Sequence, residues 1–199
     1  MGLCIVKDVL RGGVSVGSGI VIRPASVDDA RALAVIYAPY VRDTAISFEL
    51  EPPSSEEFAT RIERTLARYP YLVAERDGAI VGYAYAGPFK ERAAYAVSAE
   101  LSVYVDSTCQ GGGVGRALYT TLEQRLAEMG VTNFYACIAY PPVEDEYLTY
   151  ASVRFHERMG FEIVGRFNGC ARKFGRSYDM VWMEKRVVAC SNPPAIRAL

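Results

Sequence analysis

The sequence lacks an excess of either charge: its 199 residues carry 22 Lys and Arg against 23 Asp and Glu, a formal net charge of −1. With no basic run and no basic balance, nucleic acid is not expected as a main partner. Histidine is scarcer still, with His156 alone. A metal centre built on imidazoles or a Ser-His-Asp hydrolase would need that one residue, no GxSxG elbow accompanies it, and no metal is expected. The five cysteines, Cys4, Cys109, Cys137, Cys170 and Cys190, are odd in number and form no CxxC pair. This argues against a disulfide framework or a zinc site and for free thiols in a reducing compartment. No stretch approaches the roughly 20 consecutive apolar residues of a membrane span, and the first residues lack a charged start followed by an apolar block. A soluble cytoplasmic protein without a membrane partner is expected.

What is present is a hydrophobic fraction of 51%, ample for a real core, and one dense local signal, Gln110-Gly111-Gly112-Gly113-Val114-Gly115-Arg116. It follows the apolar run 101–105 and opens a helical pattern in Val114, Ala117, Leu118, Thr121, Leu122, Arg125, Leu126 and Met129. In a strand, glycine loop and helix so arranged, the unpaired N–H groups at the helix start can hold a phosphate. Glycines alone are equally compatible with a helix entry that needs flexible residues.

Residues 1–18, rich in Gly and Val without a clean period, are read as an extension, 19–186 as a single domain, and 187–199 as a C-terminal tail expected to be mobile. Ile20 to Arg23 reads as a short strand stopped by Pro24. Ser26 with Asp29 resembles a capping box ahead of a helix whose apolar face is Ala30, Leu33, Ala34, Tyr37 and Val41. Residues 43–51, containing Phe48, form a loop or short extended piece. Ser54 with Glu57 is a second box, before a helix carrying Phe58, Ile62 and Leu66 and ended by Pro70. Strands at 71–75 and 79–85 flank Asp77-Gly78, a pair suited to a type I′ hairpin turn, and Gly87-Pro88 interrupts the second of them. After the glycine helix and its stop at Gly130 come a mostly buried strand at 133–139 and a loop at 140–150 carrying Glu144-Asp145-Glu146. A short helix at 151–159 and a final antiparallel pair at 161–167 and 178–184 complete the chain. Acids clustered in a loop are ordinarily solvated. Hairpins at both ends and a strand-helix-strand unit between them predict a mixed α/β (α+β) sheet, not a doubly wound one.

Gln110-x-x-Gly113-x-Gly115 between strand and helix resembles the acyl-CoA pyrophosphate loop of the GNAT superfamily of N-acetyltransferases. Three further blocks narrow the resemblance: residues 83–95 (Tyr-Ala-Tyr-Ala-Gly-Pro-Phe-Lys-Glu-Arg-Ala-Ala-Tyr), 100–105 (Glu-Leu-Ser-Val-Tyr-Val) and 152–161 (Ser-Val-Arg-Phe-His-Glu-Arg-Met-Gly-Phe). These resemble the phosphinothricin and methionine-sulfone N-acetyltransferase branch, over about residues 20–186. The resemblance implies the GNAT acyl-CoA N-acyltransferase fold, a central mixed, mostly antiparallel sheet flanked by helices. It also implies acetyl-CoA as cosubstrate, direct transfer in a ternary complex to a small-molecule amine such as phosphinothricin, methionine sulfone or methionine sulfoximine, and a homodimer.

It further implies roles for particular residues. An α-ammonium group loses its proton only near pH 8, so transfer needs a base, and Glu100 matches the family's catalytic glutamate, acting directly or through a water. By residue type alone, Glu100 reads first as an exposed carboxylate at a strand end. His156 stands where most members carry a tyrosine that reprotonates the departing thiolate; a lone histidine on a helix is also compatible with a structural role. A backbone N–H between Ser102 and Val105 is expected to bind the oxyanion. CoA contacts are expected from Val103, Tyr104, Val105, Gln110, Gly111, Gly112, Gly113, Val114, Gly115, Arg116, Thr149 and Ser152. Phe48, Lys90, Arg92, Tyr95, Ser102 and Tyr104 are expected to line the acceptor site, with Lys90 and Arg92 as paired donors to a carboxylate and a phosphinate or sulfone oxygen; by residue type alone Phe48 reads first as a core aromatic. Gly111 departs from the branch, which often has arginine there; Val97 stands for a frequent tryptophan, Thr149 for a common asparagine, and the 140–149 loop is long. An acidic pocket would suit a polyamine or aminoglycoside, and the 144–146 acids keep that reading open. Two more functions are compatible with the same motifs: a noncatalytic acyl-CoA-binding module, and an acetyltransferase of protein N-termini or lysines.

Overall fold

The computed structural model describes residues 14–16 and 19–187. The chain divides into two compact units. One holds the described residues up to Ile36 together with Ser54–Gly87 and Ser102–Met129; the other holds Tyr37–Pro53, Pro88–Leu101 and the described residues from Gly130 onward.

The first unit carries four strands in sequence order, each antiparallel to its neighbour: β1 (Val14–Val16), β2 (Ile20–Pro24), β3 (Tyr71–Arg76) and β4 (Ala79–Pro88). The turn between β3 and β4 is the expected Asp77-Gly78, with φ of 52° and 78°, the positive values that a type I′ turn needs at both positions. Helix α1 (Ala30–Arg42) is preceded by a 3-10 turn at Val27–Asp29. The carboxylate of Asp29 accepts the N–H of Ser26 at 2.8 Å and the guanidinium of Arg23 at 2.8 Å, so the capping acid also fixes the helix start to β2. In α2 (Ser55–Leu66), Ser54 Oγ accepts the N–H of Glu57 at 3.2 Å. The carboxylate of Glu57 meets Arg61 one helical turn on. Helix α3 (Val114–Glu128) buries Val114, Ala117, Leu118, Thr121, Leu122 and Leu126 of the face read from the sequence and Tyr119 beside them, while Met129, also read into that face, caps the helix and is exposed. Burial of each Val or Leu among them stabilises by about 1.5–3 kcal/mol.

In the second unit, which β5 enters with its residues up to Leu101, the order is β5-β6-β8-β7. The first residues of β5 (Ser98–Val105) run parallel to β6 (Asn133–Tyr140), with Glu100 opposite Tyr135. Antiparallel pairing follows between β6 and β8 (Arg176–Arg186), where Cys137 faces Trp182, and between β8 and β7 (Glu162–Lys173). Helix α4 (Ala151–Arg158) buries Val153 and His156. Buried Lys173 donates from Nζ to the Ser47 carbonyl at 2.6 Å, tying the 43–51 loop to the last hairpin.

Three boundaries differ from expectation. Val14–Val16, placed in the extension outside the core, pairs in register with β2 as an edge strand. β4 continues through Gly87-Pro88 instead of breaking there, since Pro is tolerated at a strand terminus. The last two strands are far longer than the period-two runs at 161–167 and 178–184 and turn at Phe174-Gly175, with φ of 52° and 73°. Register shifts at Ile163/Gly165 and Phe167/Ala171 reverse the alternation and so hide the continuity of β7. Residues 1–13 of the extension and 188–199 of the tail lie outside the described residues.

Candidate active site

β5 is closed off by Asp106, whose N–H donates to the Val81 carbonyl at 2.9 Å and whose carboxylate accepts the N–H and hydroxyl of Thr108 at 2.8 and 2.6 Å. The glycine loop then follows on the surface, with Gly111 at φ 78° and Gly113, the N-cap of α3, at φ 80°. Both lie in the left-handed region that only glycine enters without strain. Gly115 is already inside the helix. The first intrahelical bond runs from Ala117 N to Gly113 O at 3.0 Å, so the preceding N–H groups have no helical acceptor. No acid stands in the first turn of α3. A half-exposed run of N–H donors at the positive end of a fifteen-residue helix is an anion cradle. Behind it, Gly82 of β4 lets the elements close up: a Cβ there would lie 3.0 Å from Tyr104 O, 3.2 Å from Val114 Cγ1 and 3.3 Å from Leu118 Cδ1.

Within the second unit, Glu100 is half-buried on β5. Burial pushes its carboxyl above the usual range, and the nearby Lys90 ammonium pulls it partly back. A carboxylate with a raised proton affinity is what a base acting near neutrality needs. Cys137, an exposed residue of β6, lies near it, and its thiol is pushed up to about 12 by partial desolvation and then by the charge of Glu100. That keeps it protonated and poorly nucleophilic. An aromatic wall adjoins: Phe89 stacks on Tyr135 at 4.1 Å between centroids and meets Trp182 edge-on at 5.4 Å and Tyr95 edge-on at 5.9 Å. Lys90 Nζ lies over Phe89 at 5.1 Å and over Trp182 at 5.9 Å. Arg92 is exposed at the N-cap of the 3-10 turn Ala93–Tyr95.

Residues 22–182 match the family model of the acetyltransferase (GNAT) domain. The chain belongs to the GNAT acetyltransferase family. It is 34% identical to the phosphinothricin N-acetyltransferase of Streptomyces viridochromogenes, over 88% of this chain and 92% of that one. To the L-methionine sulfoximine/L-methionine sulfone acetyltransferase of Salmonella typhimurium it is 30% identical, over 87% and 98%. Among solved structures it is similar to a GNAT superfamily phosphinothricin acetyltransferase from Sinorhizobium meliloti in complex with acetyl-CoA, with a TM-score of 0.79 and 30% identity over 89% and 94% of the two chains. As a GNAT enzyme it is an acetyl-CoA-dependent N-acetyltransferase on the mixed sheet expected for the family.

The remaining residues named from the GNAT resemblance fall in different settings. Along β5, Glu100, Ser102 and Tyr104 alternate onto one side of the strand, and the ring of Tyr104 lies 5.3 Å from that of Tyr83. Val103 and Val105 are half-buried on the same strand, and Arg116 is exposed on the first turn of α3. Phe48 is half-buried against Ala45, Ala139, Leu148 and Tyr178, as a core aromatic would be. The Thr149 hydroxyl accepts the N–H of Ala151 at 3.3 Å, and the carbonyl of Ser152 faces His156 Nδ1 at 2.7 Å. His156 is only 7% exposed, with Phe155 and Phe161 edge-on to its ring. Burial drives its proton affinity down to about 4, against a small opposing pull from the Ser152 carbonyl. A carbonyl can only accept, so Nδ1 carries the single proton of the neutral ring and Nε2 has none to give.

The 144–146 acids are structural and not simply solvated. Asp145 accepts the N–H groups of Tyr147 and Leu148 at 2.9 and 2.8 Å and the Tyr178 hydroxyl at 2.9 Å. Arg176 reaches both Asp145 and Glu146, and Glu144 takes the N–H of Tyr150 at 2.7 Å. The sequence reading missed Cys137, Tyr135 and Trp182 beside Glu100, because only the β5-β6-β8 register brings them there; their signal is their alternation along β6 and β8.

Proposed function

We propose that this enzyme acetylates the primary amine of a small amino-acid-like acceptor of the phosphinothricin, methionine sulfone or methionine sulfoximine kind. The observation that carries the reading is Glu100: a partly buried carboxyl with raised proton affinity, beside the Lys90 ammonium on an aromatic wall. Glu100 takes a proton from the bound ammonium, directly or through a water. The free amine attacks the thioester carbonyl carbon, a backbone N–H of residues 102–105 holds the oxyanion, the nitrogen sheds its second proton to solvent, and the C–S bond breaks to leave the amide and CoA thiolate. The glycine loop, with Gly111, Gly112 and Gly113, holds the pyrophosphate through main-chain N–H groups. Lys90 takes an anionic oxygen of the acceptor, and the Phe89, Tyr135 and Trp182 rings pack its side chain. His156, neutral and with its one proton committed to Ser152, positions α4, and the thiolate takes its proton from solvent. A polyamine acceptor is disfavoured because Arg176 and main-chain N–H groups already occupy the 144–146 acids. Residues 19–186 act as one domain, and the protein works as a cytoplasmic homodimer, which fits a cysteine spacing without CxxC pairs and the exposed apolar residues of β7.

A thiol-release assay with acetyl-CoA against a panel of free amino acid analogues, polyamines and peptides tests this. Activity should concentrate on the amino acid analogues, and Glu100→Gln should lower kcat by about 100- to 10,000-fold. Unchanged turnover in the variant would remove Glu100 from the mechanism. Tight CoA binding with no turnover on any amine would leave a binding module instead.

A further inference from the structure

Arg76 ends β3, one residue before the Asp77-Gly78 turn, and its side chain lies against the glycine loop. Nη2 stands 3.4 Å from the Gly112 carbonyl, a long contact for an N–H···O bond. A Cβ at Gly112 would come within 3.2 Å of the same nitrogen, so the guanidinium occupies space that any other residue at 112 would contest. Nε is buried and, among the described residues, has no hydrogen-bond partner. Among the described residues no carboxylate pairs with it, and Glu75 beside it in sequence is engaged with Arg23. A guanidinium offers five donors and is always charged. Here it is held beside exposed main-chain N–H groups, with no acid among the described residues to neutralise it.

We propose that Arg76 is a phosphate-binding residue of the acyl-CoA site. It supplies from β3 the cationic contact that Gly111 cannot give, its planar fork donating to a phosphate oxygen of CoA while the weak tie to Gly112 is exchanged for that stronger, charge-assisted one. The inference depends on the glycine loop being the pyrophosphate cradle, as proposed above.

The test compares wild type, Arg76→Gln, Arg76→Lys and Gly113→Val by calorimetric titration with CoA. Steady-state rates are measured with acetyl-CoA and with acetylpantetheine, which has no phosphate. Arg76→Gln should weaken CoA binding by about ten- to a hundredfold, with the loss in KM for acetyl-CoA and not in kcat. It should also flatten the salt dependence of binding, show no comparable loss with acetylpantetheine, and be partly rescued in Arg76→Lys. CoA affinity within about twofold of wild type, or an equal loss with both donors, would overturn the proposal. If Gly113→Val weakens CoA binding and Arg76→Gln does not, the cradle stands and Arg76 is dismissed. If neither does, the cradle reading fails and takes this one with it. Should Arg76→Gln melt early, the comparison of the two donors in Arg76→Lys decides.

Discussion

At the scale of single residues, the two titratable groups on which the chemistry was expected to rest are perturbed in ways that separate their roles. Burial raises the proton affinity of Glu100 and Lys90 opposes it, so the carboxylate is lost as pH falls through its raised value. Removing the ammonium removes the opposing pull. In Lys90→Ala the acid limb of the kcat profile should therefore move to higher pH, along with a higher KM for a carboxylate-bearing acceptor; a limb that stays in place would mean that the two charges do not couple. His156 behaves in the reverse sense. Its ordinary value of 6.5 falls to about 4 in the fold because burial disfavours the imidazolium. The neutral ring thus contributes stability that is complete above pH 6.5 and is lost as pH falls toward 4, about 3 kcal/mol over that range. Urea unfolding of wild type and His156→Gln at pH 7 and pH 4 should show the advantage of the wild type shrinking by about that amount. A constant difference would mean that the ring is not held neutral. The residue types Glu100 and His156 were legible in sequence through the family resemblance. Their protonation was not, because it depends on burial that only the packed strands and α4 create.

At the scale of elements, what is encoded locally is read well and what depends on pairing is not. The hairpin turn at Asp77-Gly78, the capping box at Ser26, the Ser54 cap and most of the face of α3 are set by residues a few positions apart and form as their patterns predict, though Glu57 pairs with Arg61 instead of closing the second box and Met129 is exposed beyond the helix. The bulged course of β7 and the engagement of Glu144, Asp145 and Glu146 depend on partners such as Arg176 and Tyr178, about thirty residues away, and no local pattern announces them. Gly82 belongs to this second kind. In the sequence it is one small residue in an apolar strand, yet a side chain there would collide with the Tyr104 carbonyl and with Val114 and Leu118 of α3. Gly82→Val should cost about 1–3 kcal/mol by overpacking and, by displacing the N-terminus of α3, should raise the KM for acetyl-CoA more than that of the amine. Stability alone falling, with both KM values unchanged, would show that the glycine loop is positioned independently of this contact.

At the scale of the whole molecule, a large apolar fraction predicted a real core, and the hairpins at both ends with a strand-helix-strand unit between them predicted a mixed sheet. Neither could say which edge would be left open. β7 ends the strand order of its unit, and it exposes Ile163, Val164 and Phe167 at 46%, 56% and 52%. A twelve-residue edge strand with three exposed apolar side chains invites pairing or aggregation unless something covers it. In the proposed homodimer a second copy does so, and a two-fold interface places the same patch on both sides, so one substitution acts twice. Sedimentation velocity at micromolar concentration should find a dimer, and the unfolding midpoint should rise with protein concentration, as it does when folding and association are linked. Phe167→Arg introduces a charge on each side of that interface and should yield a folded monomer with a concentration-independent midpoint. A wild-type monomer at every concentration would end the dimer proposal, and a dimer that survives Phe167→Arg would move the interface away from β7.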